Sequence, residues 1–203
     1  MDPVFNERKM RAWLSPLSHR ARVAFGLSCC ERGLPSLVAY RDETGQGSPE
    51  DLARILDAAW GFVEGRELGG DVDELIARCK RAAPTEPGAT SIHAGPAVNA
   101  GFAFVLMLET IATGAIDKVI EAGAVTSDSA ESYSRGDLGL DDDAPDLEAH
   151  LAAHPLVQRE LRRQRDDIKL LRRSSLSRDS EIDSLRNGWA SRSIFEPPRS
   201  TGR

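Results

Sequence analysis

The stretch from Ala94 to Thr113, AGPAVNAGFAFVLMLETIAT, leaves this chain few choices of fold. The stretch is apolar on every side for about four turns, and Phe102, Phe104, Val105, Leu106, Met107 and Leu108 are nearly consecutive, so no helical face is left polar between them. A helix that is apolar all round is enclosed by protein or by lipid. The uninterrupted run from Gly101 to Leu108 is far shorter than the roughly 20 residues of a membrane span, and Asn99 and Glu109 flank it. The stretch therefore predicts the buried central helix of a soluble all-α bundle, with the other helices packed around it.

The rest of the chain agrees with that class. Aromatic residues make up only 5% of the 203 positions, and the apolar residues are mostly Ala and Leu, which suit helices better than strands. The spacing predicts seven or eight helices. Residues 1–16 read as a loosely organised arm, residues 17–187 as one helical domain and residues 188–203 as a disordered tail. Within the domain, Leu17–Arg32 is the first helix, stopped by Gly33, and Pro35 opens a short second one to Thr44. Ser48-Pro49-Glu50-Asp51 is a strong start signal for a helix over Pro49–Gly65. Asp71 caps a helix over Val72–Ala83. After the central helix, Gly114 separates it from a helix over Ile116–Ser134 that is rich in small residues. The acidic loop Gly136–Pro145 leads to a short helix over Asp146–Ala153. His154-Pro155 then opens a last long helix reaching toward Arg186. Its seam is Val157, Leu161, Gln164, Ile168, Leu171, Ser175, Arg178, Ile182 and Leu185, with the packing concentrated before Ser174.

The segments Phe25-Gly26-Leu27-Ser28-Cys29-Cys30-Glu31-Arg32-Gly33-Leu34-Pro35, Thr44-Gly45-Gln46-Gly47 and Ile55-Leu56-Asp57-Ala58-Ala59-Trp60 resemble the opening of the YjaG-like family. His154-Pro155-Leu156-Val157-Gln158-Arg159-Glu160 and Ile182-Asp183-Ser184-Leu185-Arg186 resemble its C-terminal end. The resemblance implies an all-helical bacterial protein of a family of unknown function, with no catalytic residue to carry across. The chain departs from it at His154, where the family favours Asn.

Charge divides the chain. Residues 1–153 hold 14 basic and 25 acidic side chains, and residues 154–203 hold 12 and 7. The acidic body argues against nucleic acid as a partner. The basic run Arg162, Arg163, Arg165, Lys169, Arg172 and Arg173 is the candidate interaction surface, facing either the body or an outside protein. Glu31, Arg32, Asp57, Asn99 and Glu109 are the candidate polar pocket. Cys29, Cys30 and Cys79 lack the spacing of a disulfide framework, and the N-terminus MDPVFNERKMRAWL carries charges where a leader would be apolar, so the expected compartment is the cytoplasm. His150 and His154 have the i, i+4 spacing of a zinc pair, but Pro155 removes the second from helical geometry, and no third ligand stands in a recognisable motif. No phosphate loop, nucleophile elbow or dinucleotide fingerprint is present. The expectation is a non-catalytic binding or interaction protein without cofactor, metal or membrane contact, with a protein partner and an immunity- or antitoxin-like version of that role. The alternatives are an enzyme with an acidic site near Glu31 and Glu109, and a structural homodimer.

Overall fold

The computed structural model describes residues 4–84, 91–139, 146–174, 176, 179–190 and 193–194. These form nine α-helices and no strand: α1 (Glu7–Leu14), α2 (His19–Thr44), α3 (Pro49–Val63), α4 (Val72–Ala82), α5 (Ala94–Thr113), α6 (Ile116–Leu138), α7 (Leu147–Ala153), α8 (Pro155–Arg173) and α9 (Asp179–Ala190).

The centre of the bundle belongs to α2 as much as to the expected helix α5. Helix α2 packs on α3, α5, α6, α8 and α9, whereas α5 packs on α2, α3, α4 and α6. Helix α5 is long and apolar enough to cross a membrane, but 67% of its most apolar window is covered by protein. One side of it stays open. Phe102 is 57% exposed, so α5 is not enclosed all round as its composition predicts.

Gly33 and Pro35 do not divide α2 into two helices. The helix runs through both, and Ser36, Leu37 and Tyr40 beyond them are buried. Gly33 is there for a close approach: a Cβ on it would lie 2.9 Å from the Cβ of Ala100 on α5. Pro35 removes one helical hydrogen bond, a loss that the buried flanks of the helix offset. Helix α2 ends at Gly45, which takes the left-handed conformation (φ 72°) that a side chain disfavours.

Both ends of the chain differ from expectation. The arm holds α1, capped by the Asn6 side chain, with Met10 and Leu14 buried in the core. The last long helix is broken after Arg173, and α9 returns to pack on α2. Of the expected seam, Ser175 and Arg178 lie outside the described residues. Trp189 and Ile194, assigned by sequence to the tail, are buried (1% and 3% exposed). The positions 195–203 of that tail, and 140–145 of the acidic loop, lie outside the described residues. Helix α6 extends four residues past Ser134 to Leu138, where Gly139 stops it.

Helix α4 docks on α5 through an equally close contact. A Cβ on Gly101 would lie 2.4 Å from the Cβ of Ala83. Neither group is flexible, so Gly101→Ala forces the backbones apart and is expected to cost about 1–3 kcal/mol in a urea melt. An unchanged midpoint would mean that α4 is not seated on α5.

Candidate functional site

Three helices bring charge into the interior. Arg32 of α2 is fully buried, as are Glu160 (2% exposed) and Asp167 (1%) of α8. Arg32 Nε donates to Glu160 Oε1 at 3.1 Å and Nη1 donates to Asp167 Oδ2 at 2.6 Å. The indole of Trp189 on α9 donates to the other oxygen of Asp167 at 2.7 Å. Gln164 Nε2 donates to Glu160 Oε1 at 3.0 Å, to Ser127 Oγ at 3.1 Å and to the Gly123 carbonyl at 2.9 Å. Burial pulls the Arg32 guanidinium down, but Glu160 and Asp167 together outweigh it and hold its pKa above the ordinary range. The cluster is an ion triad with a charged centre that never titrates.

A second layer lies beside it. Trp60 of α3 stacks on Trp189, with ring centroids 5.7 Å apart. The Trp60 indole donates to Glu31 Oε1 at 2.9 Å. Arg186 of α9 lies 3.6 Å from the same carboxylate and also pairs with Asp57. Burial raises the Glu31 pKa, opposed by the Trp60 hydrogen bond and the Arg186 charge.

Of the polar pocket expected from sequence, the structure brings together Glu31, Arg32 and Asp57. Asn99 and Glu109 are elsewhere. Helices α2 and α5 run antiparallel, with Gly26 against Met107 and Gly33 against Ala100. Glu109 therefore lies about two turns along α5 from the level of Arg32, where it pairs with Lys118 at 2.8 Å. Half-buried Asn99 makes no hydrogen bond to Glu31, Arg32 or Asp57 among the described residues. Glu31 and Glu109 do not form one acidic site.

Two residues of the basic run on α8 are turned to internal use. Arg163 donates to the Ser193 carbonyl and Arg172 to the Trp13 carbonyl, at 2.8 and 3.0 Å. Lys169 pairs with Asp166, one turn before it. Arg165 is half-buried beneath α1, and Arg162 and Arg173 are exposed. His150 is exposed, while His154 caps α8 by accepting from Leu156 N and contacts Ser134 Oγ (2.8 Å) and Asp137. No cluster of three metal-ligating side chains occurs among the described residues. The three cysteines are free and buried. Burial pushes the Cys29 and Cys79 thiols up to about 11 and about 12, which suppresses the reactive thiolate.

The residues that sequence reasoning missed are Glu160, Asp167, Gln164 and Trp189. Gln164 stood on the seam, but its role did not show. Glu160 and Asp167 fall on the same inward stripe, at 160, 164, 167 and 171, and two carboxylates there imply a buried cation.

The second feature of interest faces outward. Lys80, Ala83, Pro84, Val98, Gly101, Phe102 and Val105 line a groove of about 140 Å³ between α4 and α5. Lys80 on its wall is exposed and makes no ion pair among the described residues.

The fold and its interior define an all-α protein with a buried ion triad at the junction of α2 and α8. The profile of the family described as "Protein of unknown function (DUF416)" matches residues 9–194, and the chain belongs to that family. A crystal structure of a DUF416 family protein from Shewanella baltica has the same fold, with a TM-score of 0.77 and 18% identity over 88% of this chain and 91% of that one. No curated protein matches the sequence.

Proposed function

We propose that the chain is a non-catalytic binding protein that takes an acidic amphipathic helix in the groove between α4 and α5. The observation that carries this reading is Phe102, a large aromatic side chain left 57% exposed on the most apolar helix of the chain. Exposed aromatics beside an apolar groove anchor partner helices. Lys80 gives the groove a positive charge, which selects acidic flanks on the partner. The interior triad supports the non-catalytic part, since Arg32, Glu160 and Asp167 are sealed in the interior and Arg32 is bound to both carboxylates. Within DUF416 we place the chain near the YjaG-like members, on the segments around Phe25–Pro35 and His154–Glu160. The three free thiols favour a reducing cytoplasm. An immunity- or antitoxin-like role fits this reading only for a toxin that offers an acidic helix.

The test is fluorescence anisotropy with a labelled amphipathic helix carrying leucines on one face and glutamates beside them. Phe102→Asp is expected to weaken binding at least about thirtyfold, the size of an aromatic anchor, with the melting curve unchanged. Lys80→Glu should weaken it less and remove part of its salt dependence. Equal binding by wild type and Phe102→Asp would sink the proposal. So would a concentration-dependent dimer abolished by Phe102→Asp, which would assign the groove to a second copy.

A further inference from the structure

We infer that the cavity beneath α1 binds a short carboxylate that carries a hydroxyl or ammonium group beside its carboxyl group. The cavity has a volume of about 40 Å³ and is walled by Phe5, Met10 and Trp13 on one side and Leu161, Gln164 and Arg165 of α8 on the other. Two polar groups on its wall have no partner among the described residues. The first is Gln164 Oε1, on a side chain only 1% exposed. The orientation of this amide is fixed, because its Nε2 faces three acceptors: the Gly123 carbonyl, Ser127 Oγ and the Glu160 carboxylate. Oε1 is thereby turned toward the cavity. It lies 3.2 Å from where a Cβ on Gly123 would stand, beside the Phe5 ring and the Met10 methyl at 3.4 and 3.5 Å from the same point.

The second is Arg165 Nε, a buried cationic donor. Arg165 makes no ion pair among the described residues. Adjacent residues of one helix thus present an unmet acceptor and an unmet guanidinium N–H. Leaving either unpaired away from water is destabilising, and a ligand with matching groups removes both penalties. Water would satisfy Gln164 but brings no charge to the guanidinium. A carboxylate does, in the geometry that guanidinium groups favour. The donor that Gln164 requires then sits beside the carboxyl group, and the apolar wall accepts a short alkyl substituent. A cavity of this volume has room for only a few water-sized groups, so a long chain is excluded. The site is separate from the α4–α5 groove and does not depend on the function proposed for it.

Calorimetry, together with the Trp13 indole resonance of ¹⁵N-labelled protein, tests the assignment on the full chain. The probes are lactate and alanine, with propionate lacking the donor and lactamide lacking the carboxylate. At least one of lactate and alanine should saturate and shift the Trp13 indole signal, and propionate and lactamide should bind at least about tenfold more weakly. Arg165→Gln should lower the affinity about tenfold or more at an unchanged melting temperature, and Arg165→Lys should restore part of it. Equal binding of propionate, an unmoved Trp13 signal, or no saturation by any probe at millimolar concentration would overturn the inference and leave the cavity to ordered water.

Discussion

Arg32→Met is expected to lower the unfolding free energy by about 3–5 kcal/mol in a urea melt, one of the largest effects available to a single substitution in this chain. The loss does not measure the worth of the ion pairs. Methionine fills much of the space of arginine, but Glu160 and Asp167 are left as two buried carboxylates without their cation. The neutral donors Gln164 and Trp189 stay in place but bring no opposite charge. Neutralising them in the same background, with Glu160→Gln and Asp167→Asn, should therefore recover part of the loss, since the amide oxygen introduced at position 167 still accepts from Trp189. A loss below about 1 kcal/mol for Arg32→Met would mean that water or rearrangement already satisfies the carboxylates, and that the triad is not sealed.

Trp189→Ala should cost about 3–5 kcal/mol, the range for removing a large aromatic side chain from a packed core. Three contacts go at once: the stack on Trp60, the hydrogen bond to Asp167 and the cover that α9 gives to α2. The expected signature in the same melt is a lower midpoint with the native helical spectrum retained. Trp189→Phe keeps most of the packing but removes the indole donor, so it should cost less, about 1–3 kcal/mol. A stability for Trp189→Ala within about 0.5 kcal/mol of wild type, the range of an ordinary surface change, would show that α9 is an appendage after all.

Where the local signals are unambiguous, the helices match the sequence reading closely. Asp71 caps α4 by accepting from the backbone N–H groups of Asp73 and Glu74, and Gly114 ends α5 in the left-handed conformation. Pro49 stands at the first position of α3. Gly33 misled because one residue type answers two needs. A stop requires its backbone freedom, while a close crossing requires its missing Cβ, and only the position of Ala100 decides between them. Helix α1 was hidden by length, since eight residues carry too few repeats to show a face.

The interior triad was harder to read. In sequence, Glu160 and Asp167 alternate with arginines as the charges of a solvated helix do, and their partner stands more than a hundred residues earlier. Asn99 and Glu109 misled in the opposite way. They flank an apolar run and suggest buried polar groups, yet Glu109 pairs with Lys118 just across the turn between α5 and α6. The exposure of Phe102 was not legible, because composition reports how apolar a helix is but not which side its neighbours leave open.

The distance between Arg32 and its counter-ions also sets an order of events at the ribosome. Arg32 emerges 128 residues before Glu160 and 135 before Asp167. At typical rates of synthesis it waits between roughly 6 and 30 s for them. During that interval α2 cannot take its final surroundings, because closing the apolar helices around it would seal in a lone cation. One side chain thus delays premature collapse of the N-terminal helices and makes the last quarter of the chain a condition for burying the first.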